Sequence, residues 1–98
     1  MIRLTELELK DREVTIKIEG YLTEASLKVL DEVLAEYAQR HIRRVHLMAD
    51  GLLSIDRHAV QEHPNGFSPE LSLSFYTSRI ALQHLLHSCG LQVTLQTP

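Results

Sequence analysis

"VTIKIEGYLTEASLKVLDEVLAEYAQRHIRRVHLMADGLLSID", residues 14–56, decides the fold. Val14, Ile16 and Ile18 alternate with Thr15, Lys17 and Glu19, the period of a half-buried strand. Gly20-Tyr21-Leu22 leads out of it, Thr23 is an N-cap residue, and Glu24 suits the positive end of a helix dipole. Leu27, Leu30, Val33, Leu34, Tyr37 and Ala38 then share one helical face, with Lys28, Asp31, Glu32 and Glu36 largely on the other. The helix is predicted to end near Arg40-His41. Val45 to Ala49 reads as a buried strand, Asp50-Gly51 as a turn, and Leu52 to Ile55 as a short second apolar run. A strand, a helix and a further strand imply a right-handed parallel crossover with the helix packed on the sheet.

Working outward, Ile2, Leu4, Leu7 and Leu9 alternate with one slip, which predicts an edge strand with an irregularity. Lys10-Asp11-Arg12-Glu13 is a polar turn, so residues 2–19 form a hairpin. On the other side, His63-Pro64-Asn65-Gly66 and Ser68-Pro69 punctuate a loop. Leu71, Leu73 and Phe75 alternate with serines, as a strand would. From Ile80 through Leu82, Leu85 and Leu86 the spacing turns helical, and Gly90 is a C′ residue. Leu91 to Leu95 is a last strand. The fold class is therefore α/β: one domain over 1–98, a sheet of about four or five strands with helices packed on it, in the order β-β-α-β-(loop)-α-β.

Composition narrows the function classes. With 98 residues, 44% hydrophobic and 23% charged, the chain is an ordinary globular domain. A net charge of −3 and aromatics at 5% argue against nucleic-acid binding. The single cysteine, Cys89, excludes an internal disulfide and suits a reducing compartment, and no apolar run approaches membrane-spanning length. The N-terminus is not a signal peptide, so a cytoplasmic location without membrane insertion is expected.

This order and these residues resemble the STAS domain, the fold of bacterial anti-sigma-factor antagonists. Residues 14–56 look like that family's strand, glycine, amphipathic helix, strand and apolar-Ile-Asp step. "LQHLLHSCGLQVTL", residues 82–95, looks like a later helix and the strand after it. The resemblance implies a regulatory protein–protein interaction module whose partner is an anti-sigma kinase-like protein or a transporter component. The implied partner-binding residues are Ser54, Asp56, Arg57 and His58. Family members that act as phosphorylated switches carry Asp-Ser-x-Gly at this step. Here Asp56-Arg57-His58-Ala59 has neither the hydroxyl nor the glycine, so a scaffold without that switch is expected. A rival alignment puts Thr77-Ser78 in the switch slot, after Leu71–Tyr76 as its strand; Ser54 is the other alternative phosphosite, and alternation turns it or its neighbours inward. Where the family adds a final helix, this chain stops at Pro98. An uncovered sheet face or an unpaired edge is expected to recruit a second copy as a homodimer, unless Phe67, Leu71 and Phe75 plug the gap.

Other constellations offer alternatives. His84 and His87, at i,i+3, share a helix face that suits a metal, but Cys89 lies about 200° round the helix from His87, so a third ligand would have to come from His58 or His63. The simpler reading is surface histidines and a buried thiol. Arg40, His41, Arg43 and Arg44 cluster where a phosphate or an acidic partner would be gripped, or where a loop is merely solvated. No phosphate-binding glycine loop and no positioned nucleophile–base pair is visible, so neither enzyme activity nor a cofactor or metal is expected.

Overall fold

The computed structural model describes residues 1–63 and 70–96. The elements are β1 (Ile2–Lys10), β2 (Glu13–Leu22), α1 (Glu24–Gln39), β3 (Arg44–Ile55), α2 (Arg57–Gln61), β4 (Ser72–Thr77), α3 (Ile80–Ser88) and β5 (Val93–Leu95). The sheet has five strands in sequential order, with β1 antiparallel to β2 and every later pair parallel. Strands added in one direction by right-handed crossovers put their connecting helices on one face of the sheet.

That face is the core. Val14, Ile16, Ile18, Val45, Leu47, Ala49 and Phe75 are at most 1% exposed. They meet Leu27, Leu30, Leu34 and Tyr37 of α1, Val60 of α2, and Leu82 and Leu86 of α3. The α1 face predicted from spacing is therefore the packed face, with Val33 partly buried at its margin. Thr23 caps α1, its hydroxyl accepting from the Ser26 amide at 3.2 Å. At the other end the Tyr37 hydroxyl donates to Glu6 of β1 at 2.6 Å, and burial together with that carboxylate pushes its pKa up to about 12.

The slip in β1 is a bulge between Glu6 and Glu8. Asp11 and Arg12 turn the hairpin with φ of 52° and 68°, both in the left-handed region that a two-residue hairpin turn demands. The Arg12 carbonyl accepts from the Arg43 and Arg44 amides, tying the hairpin to the start of β3. Gly90 follows α3 with φ of 84°, as a C′ glycine does.

Three expectations need correction. The segment placed as a loop in the element order holds the short helix α2, and the strand that Leu71, Leu73 and Phe75 announce takes its place in the order as β4. The reading of Phe67 and the turn residues 64–69 lies outside the described residues. Asp50-Gly51 is not a turn: β3 runs through it and stays paired with β2, shifting register between Lys17 and Glu19. A Cβ at Gly51 would lie 2.6 Å from Glu19 Cγ, so the missing side chain lets the strands close up where a turn was expected. Ser54 does not point inward either. A second shift, between Gly20 and Tyr21, breaks the alternation, leaving Leu52 buried and both Leu53 and Ser54 exposed.

Among the described residues no helix packs on the other sheet face, and it is polar. Thr15, His46 and Ser74 stand in one row across it, Lys17, Met48, Tyr76 and Thr94 in the next. His46 bridges the Tyr76 hydroxyl (2.8 Å from Nδ1) and the Glu13 carboxylate (3.0 Å from Nε2), and that hydrogen bond holds the Glu13 pKa below its usual value. A hydrated polar face needs no cover, so this face supplies no apolar drive for a homodimer; the unpaired-edge ground of that expectation is separate from it.

Candidate partner-binding surface

β3 is the longest strand, at 12 residues, while its neighbour β4 has 6. β4 pairs with β3 only from Arg44 to Met48, whereas β2 stays with β3 as far as Ile55. The carboxyl ends of β2 and β3, with the start of β1 still paired to β2 as far as Gly20, thus project as a shelf beyond β4. In open α/β sheets, the carboxyl ends of the strands are where partners and ligands dock.

The Asp56 step sits at the tip of this shelf. Its amide donates to the Leu22 carbonyl at 2.8 Å, which pins the strand end. Its carboxylate accepts from the Ala59 amide at 3.1 Å and caps α2. Arg57 occupies the next position, is exposed, and donates through Nη2 to the Ser88 hydroxyl at 2.9 Å. Ser88 in turn donates to the Leu85 carbonyl, and Gln61 reaches the Ser88 carbonyl. Arg57 therefore staples α2 to the end of α3. His58 is exposed and pairs with Glu62 one turn on, at 3.1 Å. Of the four candidate residues, Ser54, Asp56, Arg57 and His58 are all exposed and contiguous around the tip.

Large apolar side chains stand beside them. Leu53 is 69% exposed, and Tyr21, whose register partner is Ser54, is 49% exposed. Exposed apolar side chains next to charged ones are the composition of a contact surface. Residue-by-residue reading missed Tyr21, since a lone apolar letter at a strand end carries no signal of exposure.

Two of the alternative phosphosites, Thr77 and Ser78, are drawn together by Asp50, while Ser54 lies apart at the shelf tip. Asp50 accepts from the Thr77 hydroxyl at 2.6 Å, the Ser78 amide at 2.8 Å and the Ser78 hydroxyl at 2.9 Å. These bonds, the Thr77 hydroxyl first, hold the Asp50 pKa below the ordinary aspartate range. Thr77 is fully buried, and Ser78 is partly exposed just ahead of α3. Arg79 Nη1 donates to the Asp50 and Leu52 carbonyls at 3.2 and 2.8 Å.

A cleft of about 430 Å³ opens on the far side of α2, against α1. Glu24, Asp31, Asp56 and Glu62 line it with Lys28, His58 and His63, and His63 is paired with Asp31 at 2.8 Å. His84 and His87 are exposed on α3 while Cys89 is buried. Among the described residues no three His, Cys, Asp or Glu side chains converge as a metal would require. The arginine cluster is dispersed: Arg40 lies over the Tyr37 ring, Arg44 lies 3.8 Å from Glu13, and Arg43 points to solvent.

No protein-family model matches this chain, and no curated protein matches it. Among the described residues no helix is long and apolar enough to cross a membrane.

Proposed function

We propose that the protein is a regulatory protein–protein interaction module of STAS type, acting without catalysis in the cytoplasm of a bacterium. Its contact surface is the shelf tip, Leu53 to His58, with Tyr21. The observation that carries this reading is the exposure of Leu53 and Tyr21 at a strand end that leads into a helix start capped by Asp56. An anti-sigma kinase-like protein or a transporter component is the partner class implied by the family resemblance. With Arg57 in the hydroxyl slot, regulation at α2 works through surface charge and shape rather than through phosphate.

A photo-crosslinking side chain at Leu53 or His58, installed in cells that produce the protein, is expected to trap a second protein. The same group at Lys17, on the polar sheet face, is expected to trap none. Crosslinks from Lys17 alone would sink the reading. A second reading, favoured by the partly exposed Ser78 hydroxyl ahead of α3, is a phosphorylated switch at Ser78. A phosphate there would face the Asp50 carboxylate and push it away. Stoichiometric phosphate on Ser78 after incubation with a cognate kinase would establish it, and its absence would dismiss it.

A further inference from the structure

Among the described residues, no strand is paired with β3 on one side of the shelf. β2 stays paired with β3 as far as Ile55, whereas the pairing with β4 stops at Met48, opposite Tyr76, one residue before β4 ends. The carbonyls of Asp50 and Leu52 face that open side, and among the described residues the Arg79 guanidinium, not a strand, takes them. Beside this edge runs a slot of about 120 Å³ between the shelf and α3, lined by Leu52, Leu53, Ile55, Ala81, Leu82 and Leu85. Its floor is apolar and it has room for a side chain rather than for a folded element.

Charge frames the slot with one sign. Arg79 lies on the lining at the start of α3. Arg57 lies at the other end, through Ser88 to Leu85. Neither guanidinium has a carboxylate within ion-pair distance among the described residues; each donates to a carbonyl or a hydroxyl instead. Asp50, the nearest acid to Arg79, commits its oxygens to Thr77 and Ser78. Among the described residues no acidic side chain lines the slot.

We infer that this edge receives an extended segment of the partner protein, added as a strand beside β3, with an apolar side chain in the slot and carboxylates toward Arg79 and Arg57. The inference rests on the contact surface proposed above and names what that surface binds. Main-chain hydrogen bonds supply the affinity of such strand addition, and side-chain pockets supply the choice of sequence. An acidic segment is selected because neither arginine is in an ion pair among the described residues, although Asp50 lies near enough to Arg79 to feel its charge, so both can form bidentate pairs with carboxylates and repel a basic segment. On binding, Arg79 exchanges two carbonyls for a carboxylate and frees the edge for the incoming amides.

A random-peptide phage library panned against the full chain tests this. Enrichment of peptides with acidic residues flanking alternating apolar ones is expected. A synthetic peptide of the enriched sequence should protect amides of residues 50–55 from hydrogen exchange. Arg57→Glu should weaken its binding about tenfold or more, and Arg79→Glu likewise, whereas Lys17→Glu should leave it unchanged. Arg57→Glu and Leu53→Asp alter exposed side chains, so the test survives if Arg79→Glu fails to fold. No enrichment, enrichment of basic peptides, or binding indifferent to both Arg57→Glu and Leu53→Asp would overturn the inference. Crosslinking from Leu53 persisting alongside any of those results would leave the contact surface standing and remove only the added strand.

Discussion

The two halves of β3 have nearly the same apolar content and both bury residues, Val45 and Leu47 in the first and Ala49 and Leu52 in the second, but only the second also turns apolar surface to solvent. From Arg44 to Met48 the strand has β2 on one side and β4 on the other, and its inward residues Val45 and Leu47 are fully buried. From Ala49 to Ile55 it has, among the described residues, β2 alone, passes two register shifts, and turns Leu53 and Ser54 to solvent. Residue chemistry does not separate Leu47 from Leu53; neighbours do. The first half is scaffold because both its edges and its inner face are covered. The second is available as a contact surface because one edge is not.

Substitutions can break this contrast at either half. The largest effect belongs to Leu47→Ala, which removes a fully buried side chain and should cost about 2–5 kcal/mol in a denaturant titration. A cost well below that would mean the first half is loosely packed and the contrast is false. Gly51→Ala comes next. Its Cβ meets Glu19 Cβ and Cγ at 3.2 and 2.6 Å, so the two strands must part where the halves join, at about 1–3 kcal/mol. If the variant is as stable as the parent, the close approach of β2 and β3 does not hold the shelf.

Asp50→Ala probes the joint from the other side. It leaves the buried Thr77 hydroxyl without its acceptor and should cost about 1–2 kcal/mol. The pH dependence follows from the lowered Asp50 pKa. A carboxyl that holds its proton less tightly when folded stabilises the protein above its unfolded pKa, and that contribution is lost as pH falls through the folded one. The parent should therefore lose stability in acid more steeply than Asp50→Ala, with the two curves converging at low pH. Parallel curves would mean that Asp50 does not tie β3 to the start of α3. The smallest effect is that of Leu53→Ala, within about 0.5 kcal/mol, since the side chain is 69% exposed. A cost as large as that of Leu47 would show that the second half is buried after all.

Much of this was legible along the chain. The α1 face, its Thr23 cap, the β1 slip and the C′ role of Gly90 follow from local periodicity and from residues with a conformational preference of their own. α2 escaped notice because five residues span little more than one turn, too few to display a helical period. Asp50-Gly51 was misread for a different reason: the pair has turn chemistry, yet the glycine serves the close passage of a neighbouring strand.

By itself, the sequence determined which residues alternate as strands, where α1 starts and ends, and that Arg57 stands where a phosphorylatable hydroxyl was looked for. Only the tertiary structure decided that β3 outruns β4 and that Leu53 faces water. It alone brought Asp50 to Thr77 and Ser78, 27 and 28 residues away, and Arg57 to Ser88, 31 residues away. The physical reason is range. Helix and strand periods come from backbone geometry within a few residues. The length of a free edge, and the partners of a carboxylate across the sheet, depend on where separate strands happen to end once they pair.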